Sequence, residues 1–257
     1  MTEPLLVIDS LAVAFRDRHR PGGVLRAVDG VSLTIARGEI LGLVGESGSG
    51  KTTLGKAALR LYQPAAGRIL LDGADLTHLN ERRLRPHRRA MQMVFQDPLS
   101  SFNPRHSIGR AIAMPLRLHR LCARSAEPAA VCRILADVGL PAEFRHRYPH
   151  EMSGGQLQRA AIGRALALSP ALIVADEAVS KLDVSVRAQV LNLLRRVHAE
   201  RGLALLFITH DLHVARFLCH RIGVMRGGKL LEIGPTEQIY TAPQHDYTRA
   251  LLATCPE

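Results

Sequence analysis

The chain has 257 residues, room for one large domain or two small ones at roughly 150 residues each. Apolar residues at 47% and charged residues at 22% exclude a disordered or fibrous chain, no stretch reaches the uninterrupted apolar length of a spanning helix, and Met1-Thr2-Glu3-Pro4 lacks the pattern of a secretion signal. The net charge of +11 is nearly all arginine, and its densest runs, Arg16-Asp17-Arg18-His19-Arg20 and Arg82 to Arg89, carry no interleaved aromatics for base stacking, so a solvated or phospholipid-facing surface is expected rather than nucleic acid.

In chain order, Leu5 to Asp9 and Val31 to Ile35 have strand patterning, and Ile40 to Val44 is a short apolar run ending at glycine. Thr53 to Tyr62 reads as a helix closed by the turn Gln63-Pro64-Ala65-Ala66-Gly67. Met91 to Phe95 is a further strand, after which helical spacing dominates from Ser107 to about Arg164. Ala171 to Ala175 and Leu203 to Thr209 return to buried-strand composition, with a helix over Val184 to Glu200 between them. This alternation predicts an α/β fold with a mostly parallel sheet covered on both faces and a helical insertion. Cys122, Cys132, Cys219 and Cys255 form none of the paired spacings of a metal site and read as small hydrophobes in a reducing compartment.

Between the third strand and the first helix stands Gly45-Glu46-Ser47-Gly48-Ser49-Gly50-Lys51-Thr52, followed by Thr53. It matches the phosphate-loop pattern G-x-x-x-x-G-K-[ST] in full and in the right context, after an apolar strand and at a helix mouth. Its glycines let successive N–H groups turn inward around the β- and γ-phosphates, where the positive end of the helix adds to them. Lys51 supplies a point charge, and the Thr52 hydroxyl is placed for Mg²⁺.

Such a site needs a carboxylate at a neighbouring strand end, and Asp176-Glu177 offers two in succession. Neighbouring side chains on an extended segment point in different directions, so Asp176 can face the metal while Glu177 faces an attacking water as general base. His210 closes the strand Leu206 to Thr209 and is placed to reach the γ-phosphate. Gln96 follows the strand Met91 to Phe95, where its amide can reach metal and water. A second glycine-rich helix mouth, Met152-Ser153-Gly154-Gly155-Gln156, precedes Leu157 to Leu168. One bound nucleotide does not need two such mouths.

Together these residues resemble the nucleotide-binding subunits of ATP-binding-cassette transporters over nearly the whole chain. In that resemblance Ser153-Gly154-Gly155-Gln156 is the signature, Gln96 the Q-loop, Asp176 and Glu177 the Walker B pair, Asp183 the D-loop aspartate, His210 the switch histidine, and Phe15 the aromatic that stacks on adenine. It implies a P-loop NTPase fold with an antiparallel β lobe and an inserted α-helical subdomain, all within a single domain over 1–257. Residues 1–96 and 160–240 would form the nucleotide-binding core with its β lobe, 97–159 the helical subdomain and 241–257 a tail. It implies ATP and Mg²⁺ as ligands and a head-to-tail pair of cassettes, with each ATP between one subunit's phosphate loop and the other's signature.

The segments Val94 to Arg105 and Pro243 to Leu252 resemble the peptide and nickel importer branch, with dipeptides, oligopeptides, nickel or a metal–chelator complex all open as cargo. The implied partners are a second, different ATPase subunit, two membrane permeases and, indirectly, a periplasmic or lipid-anchored substrate-binding protein, with the chain peripheral on the cytoplasmic face of the plasma membrane. Met152 and Lys181 depart from the family, which usually has leucine or phenylalanine at the first position and a small residue at the second. The rival from another class, a soluble cassette acting on nucleic acid or in translation, usually carries coiled coils, zinc insertions or a second cassette, and this sequence has none.

Overall fold

The computed structural model describes residues 3–16 and 23–253; Asp17 to Arg20 of the first basic run and Cys255 lie outside the described residues. β1 (Pro4–Arg16) and β2 (Val24–Ala36) come first, then β3 (Ile40–Val44), α1 (Lys51–Ala58), β4 (Ala66–Leu71), β5 (Ala74–Asp75), α2 (Glu81–Leu84) and β6 (Met91–Val94). The helical stretch holds α3 (Pro98–Ser101), α4 (Ile108–Leu118), α5 (Glu127–Asp137) and α6 (Gly154–Leu166). The chain then returns through β7 (Leu172–Asp176), α7 (Val184–Arg201), β8 (Ala204–Ile208), α8 (Leu212–Leu218), β9 (Arg221–Arg226), β10 (Lys229–Pro235), α9 (Thr236–Thr241) and α10 (Asp246–Ala253).

Six strands form the larger sheet in the order β10-β9-β3-β8-β7-β6, parallel except for the antiparallel edge strand β10. The order β2-β1-β4-β5 makes a separate antiparallel sheet. Every residue of β3, β7 and β8 is buried, as parallel strands covered on both faces require. Alternate side chains enter different cores. Ile40, Val44, Ile173, Ala175, Leu205 and Phe207 pack with apolar residues of α4, α5, α6 and α7. Leu41, Leu43, Leu172, Val174, Leu206 and Ile208 pack on the other face with β1, β4 and α1.

Sequence expectation and structure agree closely at β3, β6, β7, α7 and β8 and part elsewhere for physical reasons. β1 and β2 run to thirteen residues each, well beyond Leu5 to Asp9 and Val31 to Ile35, because Asp9-Ser10 and Asp29-Gly30 interrupt the apolar pattern while Leu11, Val13 and Val28 beyond them are still buried. The first helix starts two residues earlier than expected and ends at Ala58, and the expected turn at Gln63 to Gly67 gives way to β4 from Ala66. β4, β5, β9 and β10 had no strand reading in the sequence.

Part of the arginine excess is structural. Arg88 donates to the carbonyls of Leu59 and Arg60 just beyond α1, and Arg89 Nε reaches the Leu168 carbonyl at 3.4 Å. These guanidiniums satisfy carbonyls at helix ends that have no intrahelical partner.

Candidate functional site

The register of the larger sheet brings four strand ends to one edge. β3 lies beside β8, β8 beside β7 and β7 beside β6, so the loops after Val44, Ile208, Asp176 and Val94 leave the same carboxyl edge. This is where ligands of open α/β sheets collect. A cavity of about 530 Å³ there is lined by Ala27, Ser47, Gly48, Gly50, Lys51, Thr52, Thr53, Gln96, Glu177 and His210.

The loop Gly45 to Thr52 is held in a shape that two glycines alone permit. A Cβ on Gly45 (φ 145°) would lie 2.1 Å from the Met225 carbonyl oxygen, and one on Gly50 (φ 103°) 2.2 Å from that of Ala27. Either contact is far inside van der Waals distance, so the backbone can approach its neighbours this closely only without side chains. Gly50 caps α1, whose first turn opens into the cavity with its N–H groups without intrahelical partners.

Lys51 is buried, and its Nζ donates to the carbonyls of Gly45 and Glu46, both at 2.7 Å, and to Ser49 Oγ at 3.2 Å. Burial lowers its pKa below the usual lysine value, against the pull of the Glu177, Asp176 and Glu46 carboxylates. Asp176, at the end of β7, is 4% exposed and accepts from Thr52 Oγ1 at 2.8 Å. Burial raises its pKa, while the Thr52 hydrogen bond and the Lys56 charge pull it down. Thr52 and Asp176, 124 residues apart in sequence but adjacent here, give an oxygen pair of the hard type that Mg²⁺ prefers.

Glu177 is the meeting point of the remaining groups. Gln96 Nε2 donates to its Oε2 at 2.6 Å, and His210 Nδ1 lies 3.2 Å from its Oε1. Its backbone is left-handed at φ 45°, held by its own N–H on the Ile208 carbonyl at 2.9 Å and by Ser180, whose N–H and hydroxyl both donate to the Glu177 carbonyl. A non-glycine residue kept in that region marks a place where the surroundings over-determine the backbone, a pattern that clusters at active sites.

Other expected site residues lie apart from this cavity. Ser153 caps α6, its Oγ accepting from the Gln156 N–H at 3.4 Å while Gln156 Oε1 accepts from the Ser153 N–H at 3.1 Å, so this second mouth is a closed capping box. Ser153, Gly154, Gly155 and Gln156 do not line the cavity. Asp183 stands exposed at the N-cap of α7 beside Val184, which is 80% exposed. Phe15 is partly exposed at the end of β1, edge-on to Tyr62 at 5.3 Å between ring centroids. His210 precedes α8 by two residues, and Asp211 rather than His210 caps that helix.

Sequence reasoning missed Ala27 in the cavity wall, and no signal in the sequence marks it. A larger cavity of about 640 Å³ between α4 and α5 contains one buried carboxylate, Glu127, already paired with Arg117, and no phosphate loop.

The donor set at the carboxyl edge suits a polyphosphate with a divalent cation: free helix N–H groups and an ammonium for the anion, hydroxyl and carboxylate for the cation, and a second carboxylate for water. Comparison with known proteins points the same way. A family model described as ABC transporter matches residues 28–180. A Brucella ovis protein carrying the name of a peptide import ATP-binding protein is 48% identical over 257 residues, all of this chain and 80% of its own length. The oligopeptide transport ATP-binding protein AppF of Bacillus subtilis is 48% identical over 93% of this chain and 73% of its own. The solved dimer of an ATP-binding cassette in a post-hydrolysis state, bound to ADP and Pi, superposes with a TM-score of 0.82 at 27% identity, covering 90% of this chain and 98% of that one.

Proposed function

The chain belongs to the ABC transporter family, and on that footing we propose that it is the ATP-hydrolysing subunit of an importer for peptides, nickel or a metal–chelator complex. The observation that carries this reading is the convergence of Lys51, Thr52, Asp176, Gln96, Glu177 and His210 at one sheet edge. Peptide cargo draws on the relatives' names, which include glutathione import for GsiA of Salmonella paratyphi A, 46% identical over 99% of this chain and 41% of its own.

In this reading the N–H groups of residues 47–53 and the Lys51 ammonium hold the β- and γ-phosphates, and Phe15 stacks on the adenine. Thr52, Asp176 and Gln96 would hold Mg²⁺, which when bound neutralises phosphate oxygens as charge develops. Glu177 takes the proton of the attacking water. Gln96 and His210 fix the direction of its carboxylate, as their contacts with its two oxygens suggest, and His210 turns to the γ-phosphate when ATP is present.

Ser153 to Gln156 would serve the nucleotide held by a second cassette, since they cap a helix away from this chain's own cavity. Exposed Asp183 and Val184 would sit at that boundary. The second cassette is a different ATPase subunit, which spares two exposed Lys181 side chains from meeting across a symmetric boundary. Within a single domain over 1–257, the core of 1–96 and 160–240 binds nucleotide. The helical segment 97–159, where Leu99 and Met114 are exposed, grips one of two permeases, and 241–257 is the tail. A substrate-binding protein acts indirectly, from the far side of the plasma membrane.

Co-expression with the neighbouring genes, detergent extraction and mass measurement of the complex tests this. The expected particle holds this chain, a different cassette and two membrane subunits. An active transporter with two copies of this chain and no second cassette would contradict the heterodimer, and recovery on nucleic acid without membrane proteins would contradict the importer.

A further inference from the structure

α10 returns the chain to the phosphate loop. Tyr247, in its first turn, is 7% exposed, and the backbone N–H of Glu46 donates to its hydroxyl at 3.4 Å. The ring is held from the other side, with the Arg226 guanidinium 4.6 Å from its centroid. The approach to α10 is fastened as well, because the Glu232 carboxylate on β10 accepts from the N–H groups of Gln244 at 2.8 Å and His245 at 3.1 Å. Burial raises the Tyr247 phenol above the usual tyrosine value, so the hydroxyl stays protonated and neutral.

The N–H that meets Tyr247 belongs to the peptide unit between Gly45 and Glu46, and the carbonyl of that same unit accepts from Lys51 Nζ at 2.7 Å. A trans peptide is planar, with its N–H and C=O on opposite sides, so fixing one end fixes the other. Gly45 is the residue least able to hold that plane by itself, since it lacks a Cβ and sits at φ 145°. We infer that Tyr247 is a positioning residue for ATP binding: its hydroxyl locks the Gly45–Glu46 peptide plane and thereby the loop carbonyl that places the Lys51 ammonium. Tyr247 does not line the cavity, so it acts on the loop behind it.

This rests on the ATPase reading, and the experiment separates the two. MgATP binding to the full-length chain is titrated for wild type and Tyr247→Phe, with hydrolysis at saturating ATP and hydrogen exchange of residues 45–51 measured beside it. Phenylalanine keeps the ring and its stacking on Arg226 and removes the hydroxyl, with the bond it accepts from the Glu46 N–H and its hydrogen bond with the Glu46 side chain. Loss of the hydroxyl's contacts with Glu46 is expected to weaken MgATP binding by roughly threefold to tenfold. Exchange in the loop should rise while kcat at saturation stays within about twofold, because the reacting groups are untouched. Unchanged affinity and loop exchange would overturn the inference and leave the ATPase reading standing. Equal loss of affinity, kcat and exchange protection throughout the chain would also overturn it, as the mark of a merely structural tyrosine. Absence of MgATP binding in wild type would remove both.

Discussion

Lys51 shows how much one side chain carries at this site. Its ammonium is buried, makes three hydrogen bonds to the loop that precedes it, and has a pKa lowered by that burial. Each charge-assisted bond of this kind contributes about 1.5–3 kcal/mol. Lys51→Ala removes both the charge offered to phosphate and the brace across the loop, so MgATP binding should weaken by at least ~10–100-fold by calorimetric titration. Retained affinity in that variant would mean that the backbone N–H groups suffice. Glu177 differs in kind, because its strained backbone and two carboxylate contacts leave little freedom to re-aim it. A replacement there informs on chemistry only if it keeps the side-chain shape.

At the scale of elements, the junction of β3 and α1 is a demanding piece of backbone. Gly50→Ala places a Cβ about 2.2 Å from the Ala27 carbonyl at φ 103°, so β2 or the loop must move. A cost of about 1–3 kcal/mol is expected from the backbone strain alone, read as a lowered melting temperature together with lost MgATP binding. An unchanged melting temperature would mean that β2 yields without cost. The same junction was legible in the sequence because its signals are local: β3, β7 and β8 are buried on both faces and read as apolar runs that lead into Gly45, Asp176 and, past Thr209, His210. β1, β2, β4, β9 and β10 were read short or not at all. Exposed apolar positions such as Val24 and Leu25 remove the period-2 contrast in β2, while the buried stretch of β9, Ile222 to Met225, is short and carries Gly223. Ala27 and Tyr247 escaped for another reason, since tertiary packing alone brings them to the loop.

At the scale of the whole molecule, two cores lie on the two faces of one sheet and leave its carboxyl edge free. The antiparallel sheet and α1 cover one face, and the helical segment with α7 covers the other, so groups from four strand ends meet without any of them leaving its own loop. The central claim is that this edge binds ATP and that Glu177 activates the water that attacks it. Phosphate release from MgATP by wild type and Glu177→Gln, with ATP binding titrated in parallel, tests that most directly. Glutamine keeps the shape and can still accept from Gln96 or His210 through its amide oxygen, yet it cannot take a proton. The expected result is undiminished ATP binding with hydrolysis lowered by about 10²–10⁴-fold; hydrolysis at the wild-type rate in Glu177→Gln would contradict the account.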